Sequence, residues 1–396
     1  MKKSLLAVAA IGAFASAAQA QSSVTVYGIL DVGFTGKSTR TGTASAGNVN
    51  RTQANLFTSD AEQSSRLGFR GTEDLGGGTS AFFTIETGLT PVGTQMSTMN
   101  NRQSFVGLKK NGIGQFSIGT QYTPIHNAFA ATDPGANNNT VGNVVRPGSG
   151  TEGSNSASSS AYTISTTNTL SLQSDRFAGF QLQAQYSLNA QDATQRGNNT
   201  TVATNGGNIN WSGYGIGANY TWNKLYATAV YQSFKNVTDN ANPLTSTFSS
   251  VATPGTTVTN TTLTNITDNQ WYAGATYDFG ILKAYANYIN RKAISNTNSN
   301  QYLSRTAQQI GVRSFITPKV EGWASAGTGR IQTFGTGEPT VNFNAWQLGS
   351  NYWLSKRTNL YAIYGQTITT GATSTAAGYN LSAGASQYAL GVRHTF

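Results

Sequence analysis

Hydrophobic and polar residues alternate one for one along most of this chain. In SVTVYGILDVGF, Ser23 to Phe34, residues Val24, Val26, Leu30, Val32 and Phe34 fall on one side, and Thr25, Tyr27, Ile29 and Asp31 on the other. FQLQAQYSL repeats the device, with Phe180, Leu182, Ala184 and Tyr186 against Gln181, Gln183, Gln185 and Ser187. In ILKAYANY, Leu282, Ala284, Ala286 and Tyr288 oppose Lys283, Tyr285 and Asn287. A period of two belongs to a strand with unlike faces, and helical periodicity is almost absent. The pattern predicts sixteen strands, near 23–34, 54–71, 78–90, 101–110, 114–122, 161–174, 179–189, 209–222, 224–236, 268–279, 281–291, 302–316, 319–331, 341–354, 358–369 and 385–396.

The connections alternate strictly between short and long. Short ones are EDLGGG (73–78), NG (111–112), DRFAG (175–179), WNK (222–224), DFG (278–280), TPK (317–319) and SKRT (355–358). Long ones lie near 35–53, 91–100, 123–160, 190–208, 237–267, 292–301, 332–340 and 370–384. This places every long loop at one end and both termini at the other. An even strand number with that asymmetry describes an all-β, 16-stranded antiparallel transmembrane β-barrel of the outer-membrane type. Lipid offers backbone groups no hydrogen bonds, so only helices and closed sheets span it. About 9–11 tilted residues cross a bilayer, and sixteen strands leave a water-filled lumen. A soluble β-sandwich, the rival architecture, has no need of sixteen long strands with strictly alternating loops.

Composition agrees. Only 10% of the 396 residues are charged and 11% are aromatic, yet mean hydropathy is −0.31, because Ser, Thr, Asn, Gln and 44 Gly supply the polarity. Soluble domains carry about 25% charged residues, so part of this surface is not in water. Residues 1–20 read as a cleaved secretory signal: Lys2 and Lys3, an apolar stretch from Leu5 to about Ala15, then Ala18-Gln19-Ala20. That leaves 21–396 for the barrel. No run of about 18 apolar residues occurs elsewhere, so no transmembrane helix is expected. There is no Cys, so an exported chain relies on its core or on closed hydrogen bonding. Net charge is +10; without the signal, 23 basic and 15 acidic residues leave +8. The basic residues are scattered, with Lys109-Lys110 and Arg291-Lys292 as isolated pairs and no basic block interleaved with aromatics, so, behind an export signal, no nucleic-acid partner is expected.

Enzyme motifs fail. Gly33-Phe34-Thr35-Gly36-Lys37-Ser38 ends like a phosphate-binding loop, but only two residues separate the glycines and no helix follows. Two His without Cys build no metal site, and no cofactor is expected. His126, Asp133 and a serine form a triad only by forced spacing.

Several blocks resemble the trimeric general porins of Gram-negative bacteria, of the betaproteobacterial type, over essentially the whole chain. They are SSVTVYGILDVGF (22–34), SSRLGFRGTEDLGGGTSAFFTIE (64–86), NRQSFVGLKKNGIGQFSIGTQYTP (101–124), NYWLSKRTNLYAIYGQ (351–366) and the terminal GVRHTF. The resemblance implies a homotrimer in the outer membrane with both termini periplasmic. It implies passive, non-enzymatic diffusion of ions and small hydrophilic solutes, and a third long loop folded into the lumen as a constriction. That loop is about Tyr122 to Ala161. Phe396 resembles the signal read by the barrel-assembly machinery, and Tyr388 to Phe396 is the strand that closes the barrel. One departure is Gly119-Thr120-Gln121, where many members carry Gly-Arg-Gln.

Strand parity selects pore residues. Leu67 and Phe69 are expected to face lipid, so Arg66, Gly68 and Arg70 face inward. Phe105 is expected to face lipid, so Arg102 and Ser104 face inward. Asp31 faces the lumen on the first strand. Arg66 and Arg102 match positions that resemble the family's basic ladder, with Arg70 beside them. Their role is to draw anions through and orient dipolar solutes, giving a weak anion preference. Asp133, Arg146 and Glu152 are candidate charges on the inserted loop. Each arginine has a second reading, pairing with a wall carboxylate. Lys283 and Arg313 are also inward by parity. Tyr352, Trp353, Tyr361, Tyr364, Tyr388 and Phe396 read as an interfacial aromatic belt, whereas Tyr27, Tyr226 and Tyr285 are inward. Two alternatives stay open: a substrate-specific porin with a solute-binding constriction, and an exported β-barrel enzyme or adhesin.

Overall fold

A computed structural model describes residues 23–42, 49–97, 101–146, 162–192, 208–238, 266–296, 298–333, 340–373 and 380–396. The expected signal segment and Glu152 lie outside the described residues. The strands are β1 (Ser23–Gly42), β2 (Val49–Ser59), β3 (Arg66–Gly76), β4 (Thr79–Gly88), β5 (Asn101–Lys110), β6 (Gly114–Tyr122), β7 (Ser165–Ser174), β8 (Phe180–Asp192) and β9 (Asn208–Trp222). They continue with β10 (Leu225–Thr238), β11 (Ile266–Asp278), β12 (Lys283–Ser295), β13 (Tyr302–Phe315), β14 (Val320–Thr333), β15 (Thr340–Trp353), β16 (Thr358–Thr373) and β17 (Asn380–Thr395). All pair antiparallel in one sheet, and β1 meets β17 to close it.

Seventeen segments make sixteen staves. The first half of β1 pairs with β3, from Ser23↔Thr72 to Ile29↔Arg66, and its second half with β2, from Val32↔Ser59 to Gly42↔Val49. Thus β2 and β3 share one place in the wall. The single strand expected over 54–71 is interrupted at Asp60-Ala61-Glu62-Gln63-Ser64-Ser65. Asp60 takes a left-handed φ of 75°, and its carboxylate accepts from Ser65 N at 2.7 Å, pinching these residues out of the ladder. Conversely, much of the loop expected over 35–53 is strand. Lys37 to Arg40 and Arg51 to Gln53 are polar on both faces, so they carry no alternation to read.

The outer face is apolar, as lipid requires. Val24, Val26, Leu30, Val32, Phe69, Ile85, Leu390 and Val392 are exposed there. At the seam, Gly28 and Phe396 exchange both backbone hydrogen bonds at 3.1 Å. A Cβ on Gly28 would lie 2.3 Å from the Phe396 ring and 2.5 Å from the Arg66 carbonyl oxygen, so only glycine fits beneath that ring.

Tyr361 is not in the interfacial belt. It points inward from β16, and the space above Gly391 lets its ring lie across β17. Its hydroxyl donates to Asp31 on β1 at 2.6 Å. It therefore braces three strands at the seam. Trp353 also leaves the belt, donating inward from Nε1 to Glu321 at 3.3 Å under the Arg393 guanidinium. Tyr352, Tyr364 and Tyr388 stay outside. Tyr361→Phe removes a buried hydrogen bond to a charged group, worth about 1.5–3 kcal/mol. The variant is expected to lose its folded, heat-modifiable band at a lower temperature on electrophoresis; an unchanged transition would remove Tyr361 from the seam's energetics.

The main hydrophobic core lies inside the barrel. Val230, Tyr272, Ile289, Ala307 and Phe343 face inward and are buried against Ile125, Phe129, Val144 and Tyr162 of the long β6–β7 connection. The inward faces are therefore not uniformly polar, contrary to the expectation from the alternation.

Candidate functional site

The β6–β7 connection begins with a helix that the sequence reading missed. α1 (Pro124–Thr132) is capped by Thr123, whose hydroxyl accepts from His126 N at 3.3 Å, and starts with Pro124. Ile125, Ala128, Phe129 and Thr132 form its buried face. The spacing i, i+3, i+4, i+7 and the Thr-Pro start were the available signals.

After α1 the chain runs along the inside of the wall, held by inward amides. Gln232 on β10 accepts from Ile125 N at 3.4 Å, and Asn287 on β12 donates to Thr132 O at 3.1 Å. Gln309 on β13 accepts from Val144 N at 3.4 Å. Gln347 on β15 donates to Thr140 O at 2.6 Å and Val141 O at 2.9 Å. Gln387 on β17 accepts from Val141 N at 3.3 Å. The 60–65 break completes the fastening: Gln63 donates to Ala136 O at 3.1 Å, and Asn139 donates to Asp60 O at 2.6 Å. The described part of the connection thus lines the lumen from β8 and β9 round to β17 and lies opposite the inward faces of β3 to β7.

The charged cluster stands on that open side. Glu86 at the end of β4 accepts from Arg102 Nε at 2.8 Å and from the Tyr27 hydroxyl at 3.0 Å, with Arg66 Nη1 at 3.8 Å. Arg102 also donates to the Tyr122 hydroxyl at 2.7 Å, at the root of the inserted loop. Arg70 lies over the Tyr27 ring, 5.3 Å from its centre. Two guanidiniums therefore meet one carboxylate, and a third joins the cluster through the Tyr27 ring. Arg66 keeps 20% of its side chain open and Arg102 only 6%, so Arg66 and exposed Arg70 meet the passage while Arg102 holds the loop root.

Arg102 arrives there by a route that parity does not reveal. Glu86 pairs with Gln103 and Thr87 with Asn101, so Arg102 is the extra residue of a bulge. The strand's inward residues are Gln103 and Phe105, and Val106 is exposed outside. The expectation that Phe105 faces lipid and Ser104 the lumen is thus corrected. The Phe105 ring packs edge-on against Phe82 at 6.3 Å.

The other candidate charges are engaged elsewhere. Asp31 is fully buried beneath the 60–65 break, accepting from Glu62 N at 2.8 Å, Gln63 N at 2.6 Å and Tyr361. It does not reach the passage. Asp133 is buried and binds Asn137 N at 2.7 Å, Asn143 at 2.9 Å and Gln309 at 3.0 Å. Burial raises its carboxyl above the usual range, and these donors oppose the shift. Arg146 is buried against Asn137. Both charges hold the loop's shape. Arg313 pairs with Glu321 and donates to Pro134 O at 3.0 Å, another tie to the loop. Burial, with Arg146, Arg102 and Arg66 nearby, drives His126 well below the usual imidazole range. Its neutral ring packs on Tyr122 at 4.4 Å.

A closed sheet of sixteen staves, with an apolar outside and a loop fastened within, defines a channel-type transmembrane barrel. The chain belongs to the Gram-negative porin family, whose model matches residues 7–373. This assigns it to the outer membrane and to a class of channels rather than enzymes. It is similar to an outer membrane porin protein of Bordetella pertussis, 32% identical over 202 residues, which are 48% of this chain and about half, 49%, of that relative's length. Its fold is similar to that of an anion-selective porin from Comamonas acidovorans, with a TM-score of 0.64 and 20% identity, covering 95% of this chain and 100% of that one. A trimer form of OmpT from Vibrio cholerae matches with a TM-score of 0.59 and 14% identity over 95% and 99% of the two chains.

Proposed function

We propose that the chain is a passive diffusion channel for ions and small hydrophilic solutes, weakly selective for anions and working as a homotrimer. The observation that carries this reading is the imbalance in the charged cluster, where Arg66 and Arg102 both pair with Glu86 and Arg70 stands over the Tyr27 ring with no carboxylate paired to it among the described residues. A narrow stretch with a net positive wall attracts anions because little water remains to screen it. The anion-selective Comamonas neighbour and the trimeric Vibrio neighbour support the finer points. Recognition of the Phe396 strand by the barrel-assembly machinery belongs to the same reading.

The test is the reversal potential of single channels in a planar bilayer under a KCl gradient. Its sign should report chloride preference, and steps should come in threes. Two unit charges about 6 Å apart in water interact by about 0.7 kcal/mol, roughly halved by salt with a Debye length of about 10 Å. Arg66→Gln with Arg70→Gln, the two arginines that meet the passage, should therefore lower the chloride-to-potassium ratio about tenfold. An unchanged potential would place selectivity elsewhere, and absence of current from folded protein would remove the channel reading.

A further inference from the structure

The lumen treats its glutamines in two ways. On β10, β13, β15 and β17 they grip the inserted loop, as described. On the open side no loop backbone among the described residues bonds to them. There, between β4 and β8 and on the short-turn side of α1, a niche of about 300 Å³ is lined by Phe82, Phe105, Gln103, Gln115, Gln183 and Gln185, with Tyr122 and Asn127 above. Gln185 is 94% buried; its Nε2 donates to Thr166 at 2.8 Å, but its Oε1 has no hydrogen-bond partner. Gln183 Nε2, on the same face two residues away, is also buried without a partner. One unbonded acceptor and one unbonded donor, both shielded from solvent as the amides lie, thus stand beside an aromatic pair, and a turn of either amide would present it to the niche. An unmatched buried polar group is costly, so a ligand that satisfies both has a defined advantage.

The lining selects the ligand class. It holds no charged side chain, so it offers nothing to balance a carboxylate, phosphate or ammonium. Amides present donors and acceptors together, as vicinal hydroxyls do. The Phe82 and Phe105 rings offer an apolar surface to a ring's C–H face. The volume is at the low end for small-molecule sites. We propose that this niche is a weak binding subsite for a neutral polyhydroxy solute of monosaccharide size, on the short-turn side of the constriction. The subsite rests on the channel reading for its purpose, but its occupancy can be measured without conduction.

The probe is D-glucose, with tetraethylene glycol as a neutral control of similar mass. Saturation-transfer NMR on the detergent-solubilised protein should give glucose ring signals that saturate with concentration and weaken strongly in Gln185→Leu and Phe105→Ala. In the bilayer, glucose should reduce the current along a saturating curve. Gln185→Leu should raise the half-blocking concentration at least fivefold, with each variant's own open current as its folding control. If glucose and the glycol both lower the current linearly and no NMR transfer appears, the niche holds only water and the proposal fails. Saturable block unaffected by either substitution would also overturn it, by placing the site elsewhere. Loss of all current with NMR transfer intact would instead count against the channel reading.

Discussion

Replacing Ile125 and Phe129 together by alanine is expected to raise single-channel conductance severalfold and erase ion selectivity, while the folded barrel persists. Both side chains are fully buried in the core between loop and wall. Truncations of this kind cost about 2–5 kcal/mol for Ile and 3–5 kcal/mol for Phe. The remaining ties are Val144 and Tyr162 of the same core, the Arg313 bond to Pro134 O, and amide hydrogen bonds that water can replace, each with a net worth of about 1 kcal/mol. The strands do not depend on the loop, because their backbone groups are matched around the closed sheet. Released from the wall, the loop would no longer force ions past Arg66 and Arg70. Heat-modifiable electrophoresis should look normal while the current record becomes larger and noisier. A record identical to the parent's would mean that the remaining ties hold the constriction without these two side chains.

The second large effect concerns closure. Gly28→Val should sharply reduce the folded barrel recovered in the outer-membrane fraction. The Phe396 ring can swing aside, but the Arg66 carbonyl oxygen, 2.5 Å from the added Cβ, belongs to the neighbouring backbone. The seam must shift, and an open seam leaves unpaired strand edges in lipid, which offers them no partners. Val26→Leu is the control, because Val26 lies on the same outer face and is exposed. Its yield should match the parent's. Equal recovery of both variants would show that the seam tolerates a displaced Phe396.

Much of the wall is legible in the sequence, and the reason is physical. Where one face meets lipid and the other water, as in Ser23 to Phe34, period-two alternation is enforced and strand position can be read. Legibility fails where that contrast disappears. Lys37 to Arg40 and Arg51 to Gln53 are polar on both faces, so strand looks like loop. On β10 to β15 the inserted loop supplies an apolar partner inside, so inward residues such as Ile289 and Phe343 imitate lipid-facing ones. The bulge at Arg102 shifts the phase by one residue and turns Phe105 inward. Arg66 and Arg102 could be found from their blocks, but their partner Glu86 could not, since only the three-dimensional register brings it between them. Asp31 and Tyr361, 330 residues apart, meet only in the closed ring.

That last contact has a consequence for the passage. The landing place of the inserted loop includes the 60–65 break, where Glu62 is bound by Asn359 of β16 at 2.9 Å and by Arg393 of β17 at 3.4 Å. These partners lie at the far end of the chain and reach the break only when β17 joins β1. A barrel whose first and last strands are unpaired lacks one wall of the dock, so the final bore of the passage requires the closed seam. Width is a property of the finished ring, set by the first and last strands as much as by the loop that fills it.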